Sequence, residues 1–337
     1  MISIQEIRDK QNKIIVLGNH GPIIQSILDF DYLSGKKEGS VINIVTGHRG
    51  YAKYFFGRQE ILIPTLISIS DFGVRSSDLN YWFLNLLSGR RALSSTLEAL
   101  QLRGDSSTGD MTNGQVGTPK VGGVSSLEFC GGVIFAEGVP ELHALNIIEQ
   151  NSKLIIGPAS VGLLVPGCLK LGPIGGITPT QIIEGKFVHP GSVAILSASG
   201  GMTNELINIA TQAGHRLSFA LSFGGDRFPV LSPRDAFLLA ESDVETKTIL
   251  YYGELGGEDE YELVKLKQEG KFTKNVIAHI AGTVASLFPE SPQFGHAKAK
   301  ADKARTTALA KHIVLKSAGF QVGNSFTEFI RLINKLK

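Results

Sequence analysis

Residues 13–28 read KIIVLGNHGPIIQSIL. After Lys13, Ile14 to Leu17 are apolar with no polar alternation, the pattern of a strand buried on both faces in a parallel sheet. Gly18-Asn19-His20-Gly21-Pro22 breaks the run. Beyond it Ile23, Ile24, Ile27 and Leu28 recur at helical spacing, and Pro22 stands where a first helical turn tolerates a residue without an N–H. Strand, glycine turn and helix make one βα unit.

The unit repeats along the chain. Apolar runs at 41–45, 81–87, 132–135, 154–156, 192–196, 219–223, 248–252 and 276–280 are mostly separated by helical patterns, and a run at 61–69 is broken by Pro64. Strands alternating with helices imply an α/β fold with mainly parallel sheets. Ligands of such sheets bind at the carboxyl ends of the strands. The glycine clusters fall at those ends: Ser88-Gly89-Arg90-Arg91, Ala136-Glu137-Gly138, Gly157-Pro158, Ser199-Gly200-Gly201, Gly224-Gly225-Asp226 and Gly253-Glu254. With 337 residues the chain is long enough for two cores. The expected domains are 1–155 and 156–337. Residues 103–132, dense in Gly, Ser and Thr, are expected to be a flexible exposed insertion in the first.

Hydrophobic residues at 42% and charged residues at 19% fit a packed globular chain rather than a disordered one. The net charge of +2, with no basic run interleaved with aromatics, gives no case for nucleic acid. No apolar run approaches the ~20 residues a membrane span needs. The N-terminus lacks a basic and then apolar leader. Two cysteines, Cys130 and Cys168, are too few for a disulfide framework. A soluble cytoplasmic protein is expected.

Four places can carry chemistry. Gly18-x-x-Gly21 can bring backbone N–H groups to a diphosphate at a helix start. The full G-x-G-x-x-G is missing, so a plain tight turn stays open, as does the choice between CoA and NAD. Arg90, beside Ser88, can pair its planar fork with a phosphate, or simply begin a solvated helix. Glu254, on a glycine-flanked strand end, can orient a histidine ring. His296, in Phe294-Gly295-His296-Ala297, has small neighbours that leave its imidazole reachable. Neutral imidazole, with an ordinary pKa of about 6.5, can take a phosphoryl group near neutral pH and pass it on. A phosphohistidine needs positive potential, which helix N-termini supply, and Gly157-Pro158 and Gly200-Gly201 are two candidate helix starts. By spacing alone a lone histidine is more often structural, and the other seven show no metal-ligand spacing.

Several segments together resemble the succinyl-CoA synthetase α-subunit superfamily, and within it the ATP-citrate lyase and citryl-CoA synthetase small-subunit branch. They are GPASVGLLVPGCLKLGPIGG (157–176), HPGSVAILSASGGMTNEL (189–206), GGDRFP (224–229), GELGGEDEY (253–261) and QFGHAKAKA (293–301), and the likeness extends to LDFDYLSG (28–35), GRQEILIP (57–64) and AEGVPE (136–141). The resemblance implies a Rossmann-like CoA-binding domain followed by a flavodoxin-like CoA-ligase domain. It implies that an ATP-grasp partner subunit, bringing ATP and Mg, phosphorylates His296, with Glu254 steadying the ring. The phosphate would pass to a carboxylate of the acid, and the CoA thiol would attack the acyl phosphate. Gly18, Asn19, His20, Gly21, Ser88, Arg90, Ala136, Glu137 and Gly138 match CoA-contacting positions. Ser199, Gly200 and Gly201 match the acid-substrate loop. Their sequence, Ser-Gly-Gly-Met-Thr-Asn, is the citrate-type form rather than the Ser-Gly-Thr-Leu-Thr-Tyr of succinate-type chains. A hetero-oligomer is implied, and cleavage of citryl-CoA would fall to a separate lyase.

The chain departs from the family pattern at Lys298, where a glycine is usual, and at Ala198, where an arginine is usual. These departures keep a non-catalytic CoA-binding relative among the alternatives, beside a synthetase for succinate or another dicarboxylate.

Overall fold

A computed structural model describes residues 1–72, 78–100 and 129–336. The first half runs α1 (Ile4–Asp9), β1 (Gln11–Leu17), α2 (Gly21–Leu33), β2 (Val41–Val45), β3 (Gly50–Phe56), β4 (Gln59–Leu66), β5 (Leu79–Asn85), α3 (Gly89–Leu100), β6 (Gly131–Ile134), α4 (Glu141–Gln150) and β7 (Leu154–Ile156). The second runs β8 (Gly162–Val165), β9 (Leu169–Leu171), α5 (Pro179–Glu184), β10 (Val193–Ser197), α6 (Gly200–Gln212), β11 (Leu217–Ser222), α7 (Pro233–Ser242), β12 (Thr248–Glu254), α8 (Asp259–Gln268), β13 (Asn275–Ala281), α9 (Ala308–Ser317), β14 (Gln321–Val322) and α10 (Phe326–Asn334).

The strands form two seven-stranded sheets, in the orders β3-β4-β2-β1-β5-β6-β7 and β14-β13-β12-β10-β11-β8-β9. Both are mostly parallel, as expected for an α/β fold of a Rossmann-like CoA-binding part and a CoA-ligase part. Antiparallel pairing is confined to β3 with β4, β8 with β9, and β8 with β11. β1 lies between β2 and β5 and is buried from Asn12 to Leu17, which is why its sequence shows no alternation. Residues 50–56, GYAKYFF, carry no clear strand signal, because β3 lies at the sheet edge with most of its residues in water.

Two expectations need correction. Residues 103–128 lie outside the described residues, but the C-terminal end of the expected exposed insertion is ordered structure. Phe129 is buried against Phe83, edge to face at 5.7 Å, and Gly131-Gly132 begin β6. Small residues suit an exposed loop and a crowded strand alike. A side chain has no room at Gly132, where an added methyl would stand 2.4 Å from the Phe83 ring. The second correction concerns Gly157-Pro158, taken up below.

Ion pairs tie the two halves together. Arg8 of α1 reaches Asp243, just past α7, at 2.5 Å and the Ser218 carbonyl of β11 at 3.1 Å. Lys36 bonds both Asp31 of α2 and the Cys168 carbonyl, at 2.6 and 2.8 Å. Among the described residues no helix is long and apolar enough to cross a membrane.

His312 of α9 is buried beside His279 of β13, and its Nε2 accepts the Ile280 N–H at 3.2 Å. That bond requires a lone pair on Nε2, so the ring is neutral. Burial, then the charges of His279 and Lys316, pull its pKa down to about 4. The unfolded chain binds a proton here below about pH 6.5, whereas the folded chain binds it only near pH 4. Stability is therefore full above about 6.5 and falls as pH drops toward 4, by about 3 kcal/mol for this one group. Urea unfolding at pH 7 and 4.5 should show that loss, and His312→Gln, which keeps an acceptor without titrating, should flatten that part of it.

Candidate active site at the facing strand ends

In the first sheet the chain goes from β1 out to β2 on one side and later returns to β5 on the other. The switch point lies between β1 and β5, the place where open α/β sheets form a crevice. Gly18 and Ser88 stand at the two carboxyl ends that border it. Gly18 has φ +90°, a left-handed conformation, and lies against Leu87. α2 then starts at Gly21 with Pro22 in its first turn. Asn19 accepts a hydrogen bond from the Tyr54 hydroxyl at 2.8 Å, so the edge strand β3 holds its side chain. His20 is the N-cap residue of α2, and its side chain makes no capping bond. Ser88 immediately precedes α3, whose first turn carries exposed Arg90. A methyl added at Gly89 would lie 3.0 Å from the carbonyl oxygens of both Glu137 and Gly138. The turn Ala136-Glu137-Gly138 after β6 thus adjoins the start of α3. Three separated segments meet along one sheet edge.

The second sheet repeats the device. β10 lies between β11 and β12, with the switch point between β10 and β12. Glu254 ends β12. Its Oε2 accepts the His296 Nδ1–H at 2.8 Å, while Oε1 is buried with no hydrogen bond among the described residues. On the other side, beyond β11, the ring lies on Gly225: a methyl there would stand 2.4 Å from Cδ2 and 2.6 Å from Nε2. The imidazole therefore bridges from the β12 end to the β11 end, across the end of β10. There α6 begins, with Ser199 as its N-cap accepting the Met202 N–H at 3.3 Å. Gly200-Gly201 is the helix start that the sequence led one to expect.

Gly157-Pro158 is not. No helix follows it. Ala159 has φ +57°, outside the right-handed helical region, and the chain turns into the antiparallel strand β8. The Gly157 carbonyl accepts from Val230 and its N–H donates to Phe223, so the segment is a backbone junction between the two sheets.

The electrostatics suit a reactive imidazole. The Glu254 hydrogen bond raises the His296 pKa above the ordinary value; burial opposes it, the Glu254 charge adds to it, and Lys298 works against it. A carboxylate on Nδ1 fixes the tautomer with the lone pair on Nε2, where no hydrogen bond is made among the described residues. Lys298 does not block this atom through its ammonium. That group turns to Asp259 at 2.7 Å and lies 5.3 Å from the Phe223 ring centroid. Burial works against its charge, but Asp259, Glu254 and Glu260 together hold its pKa up. Ala198 is buried in the core, so this departure from the family pattern places no side chain at the surface of the site.

Asp226 is a residue of this surface for which the sequence alone suggests no role. Its carboxylate accepts the Val139 N–H at 3.3 Å, joining the Ala136–Gly138 turn to the β11 end that carries Gly225. Burial pushes its pKa up, the Gly138 and Val139 N–H groups draw it down, Glu137 raises it and His296 lowers it. The Ala136 carbonyl also accepts from Ala159. The two strand-end sites are therefore one continuous surface. A signal existed in Gly224-Gly225-Asp226 at a strand end, but nothing in the sequence pairs it with residue 139.

Residues 196–319 match the CoA-ligase family. The chain is 35% identical over 332 residues to the ATP-citrate synthase of Bos taurus, covering 97% of this chain and 28% of that protein. It is 32% identical over 336 residues to the probable ATP-citrate synthase subunit 1 of Schizosaccharomyces pombe, covering 98% and 50%. The solved structure of ATP citrate lyase from Methanothrix soehngenii in complex with citrate and coenzyme A superposes with a TM-score of 0.85 at 32% identity, covering 96% of this chain and 49% of that one. The fold and these matches define a chain with a CoA-ligase domain of the succinyl-CoA synthetase α-like class. It is homologous, over nearly its whole length, to a part of the ATP-citrate synthases, and it spans half or less of the length of these relatives.

Glu254→Gln keeps an acceptor for Nδ1–H but removes the charge, so the His296 pKa should fall, read by 15N NMR of the ring. Gly225→Ala should shift the ring titration as well, because an added methyl cannot coexist with the present seat of the ring.

Proposed function

We propose that this chain is the CoA-binding, phosphohistidine-carrying part of an ATP-dependent citrate–CoA ligase that works with an ATP-grasp subunit. The contact between His296 Nδ1 and Glu254 Oε2 carries the proposal, because it leaves Nε2 as the nucleophile. Nε2 attacks the γ-phosphorus of ATP held with Mg2+ by the partner, the bond to ADP breaks, and the ring becomes a cation whose Nδ1–H faces the Glu254 carboxylate. That carboxylate is in place before the charge develops, so no reorganisation is needed as it forms. A citrate carboxylate then attacks phosphorus, the P–N bond breaks and neutral imidazole returns. The CoA thiolate attacks the acyl carbon, phosphate leaves, and citryl-CoA forms.

The remaining residues take roles along the joined edges. Gly18, Asn19, His20 and Gly21, with Ser88, Arg90 and Ala136-Glu137-Gly138, are assigned to CoA. The first turns of α2 and α3 offer N–H groups, and Arg90 offers a fork to phosphates. Ser199-Gly200-Gly201, at the start of α6, is assigned to the acid and to the phosphoryl group it receives, where the helix N-terminus favours negative charge. The citrate-type sequence of that loop and the relatives' names favour citrate over succinate. Cleavage to smaller products is assigned to a citryl-CoA lyase outside these residues.

Labelled ATP and the ATP-grasp partner should give acid-labile phosphate on the chain that disappears in His296→Ala; label retained in that variant would overturn the assignment. Glu254→Gln should slow phosphorylation roughly 100-fold and move the acid limb of its rate to lower pH, because the neutral ring then persists further down. Thioester assays with citrate, succinate and malate should favour citrate.

A further inference from the structure

Lys311 lies in α9, whose sequence gives no hint of a part in the site, and it is 1% exposed. Three oxygens surround its ammonium: the Glu254 carbonyl at 2.7 Å, the Gly256 carbonyl, and Glu260 Oε2 at 2.6 Å. Two of its three N–H donors go to the carbonyls, while Glu260 Oε2 meets the ammonium as an ion pair outside hydrogen-bond geometry. Glu260 is equally buried, and its other oxygen accepts the Tyr251 hydroxyl at 3.0 Å. Burial holds the Glu260 carboxyl above its ordinary value, and the Lys311 charge opposes this only in part.

The two carbonyls are not arbitrary. One belongs to the residue that meets His296. The other belongs to the glycine on which the His296 loop rests: a methyl at Gly256 would stand 2.0 Å from the Lys298 carbonyl oxygen and 2.8 Å from the Lys300 nitrogen. The Gly256 N–H is held too, by the Thr306 carbonyl at 2.8 Å, just before α9. A lysine that only balanced Glu260 would have no need of main-chain acceptors. Here two donors go to main chain on either side of Leu255.

We propose that Lys311 is a positioning residue: its ammonium fixes the main chain from Glu254 to Gly256 so that the Glu254 carboxylate and the His296 loop meet at the Nδ1–H···Oε2 contact. The proposal deepens the assignment of His296 and Glu254 made above and rests on it for its catalytic meaning.

The test reads the His296 titration by 15N NMR on the whole chain, with its thermal midpoint and its phosphorylation by the ATP-grasp partner. Lys311→Met removes the donors and leaves Glu260 uncompensated. The double variant Lys311→Met, Glu260→Gln removes that charge as well, and carries the test where the single variant fails to fold. Lys311→Arg retains donors. The charged groups that act on or sense the ring, Glu254, Lys298, Glu137 and Asp226, are unchanged in all three, so the titration reports the contact with Glu254. In the two Met variants the His296 pKa should fall by at least about half of its fall in Glu254→Gln. The double variant should recover thermal stability without recovering the pKa, and Lys311→Arg should keep more of the raised pKa than Met does. A folded double variant in which His296 titrates as in the parent overturns the proposal and leaves Lys311 a charge partner of Glu260. Absence of phosphate on His296 would defeat the reaction assigned above, but the titration needs no partner and stands apart from it.

Discussion

Lys311 lies almost out of reach of water, and the end of β12 is arranged around it. A buried ammonium is tolerable when its charge is matched and its donors find acceptors. Glu260 is its ion-pair partner, and the Glu254 and Gly256 carbonyls are its hydrogen-bond acceptors. Removing one member of such a pair typically costs about 3–5 kcal/mol, because the other is left charged and unpaired. That is several times the worth of an exposed pair such as Arg305 with Glu258. The constraint fixes a short piece of main chain rather than a side chain, and main chain is what aims Glu254.

From that point the site grows outward by close contacts. Glu254 holds the His296 ring, the ring lies on Gly225, Asp226 reaches Val139, and the preceding turn adjoins Gly89 at the start of α3. Each sheet reverses its strand order where its site lies, so each opens a crevice, and the links through Asp226 and Ala159 join the two edges. The reaction proposed above needs such continuity, because an acyl phosphate formed beside His296 must be within reach of the CoA thiol.

Much of this was legible in the residues. Strands buried on both faces show as unbroken apolar runs, so β1, β5, β10, β11, β12 and β13 were readable. Glycines at their carboxyl ends marked the edge where ligands bind. His296 stood out for its small neighbours and Glu254 for its strand end. The failures have physical causes. Gly157-Pro158 looks like a helix start, but the left-handed φ of Ala159 sends the chain into a hairpin. The glycines at 131 and 132 look like loop, yet Gly132 is small because Phe83 fills the space beside it. β3 was invisible because an exposed edge strand needs no apolar pattern.

By itself the sequence determined the alternation of strands and helices, the edge to which the proposed chemistry is assigned, and the residue types proposed to perform it. Those properties depend on spacing along the chain, which periodicity records. The Glu254–His296 pair, 42 residues apart, was an expectation from the resemblance to which only the tertiary structure gave a geometry, and the tertiary structure alone decided Asp226 with Val139 across 87 and Lys311 with the Glu254 carbonyl across 57. It also turned Lys298 to Asp259. Such contacts arise from the order in which strands lie in a sheet and from how closely backbones approach at glycine. Neither has a period that a single sequence displays.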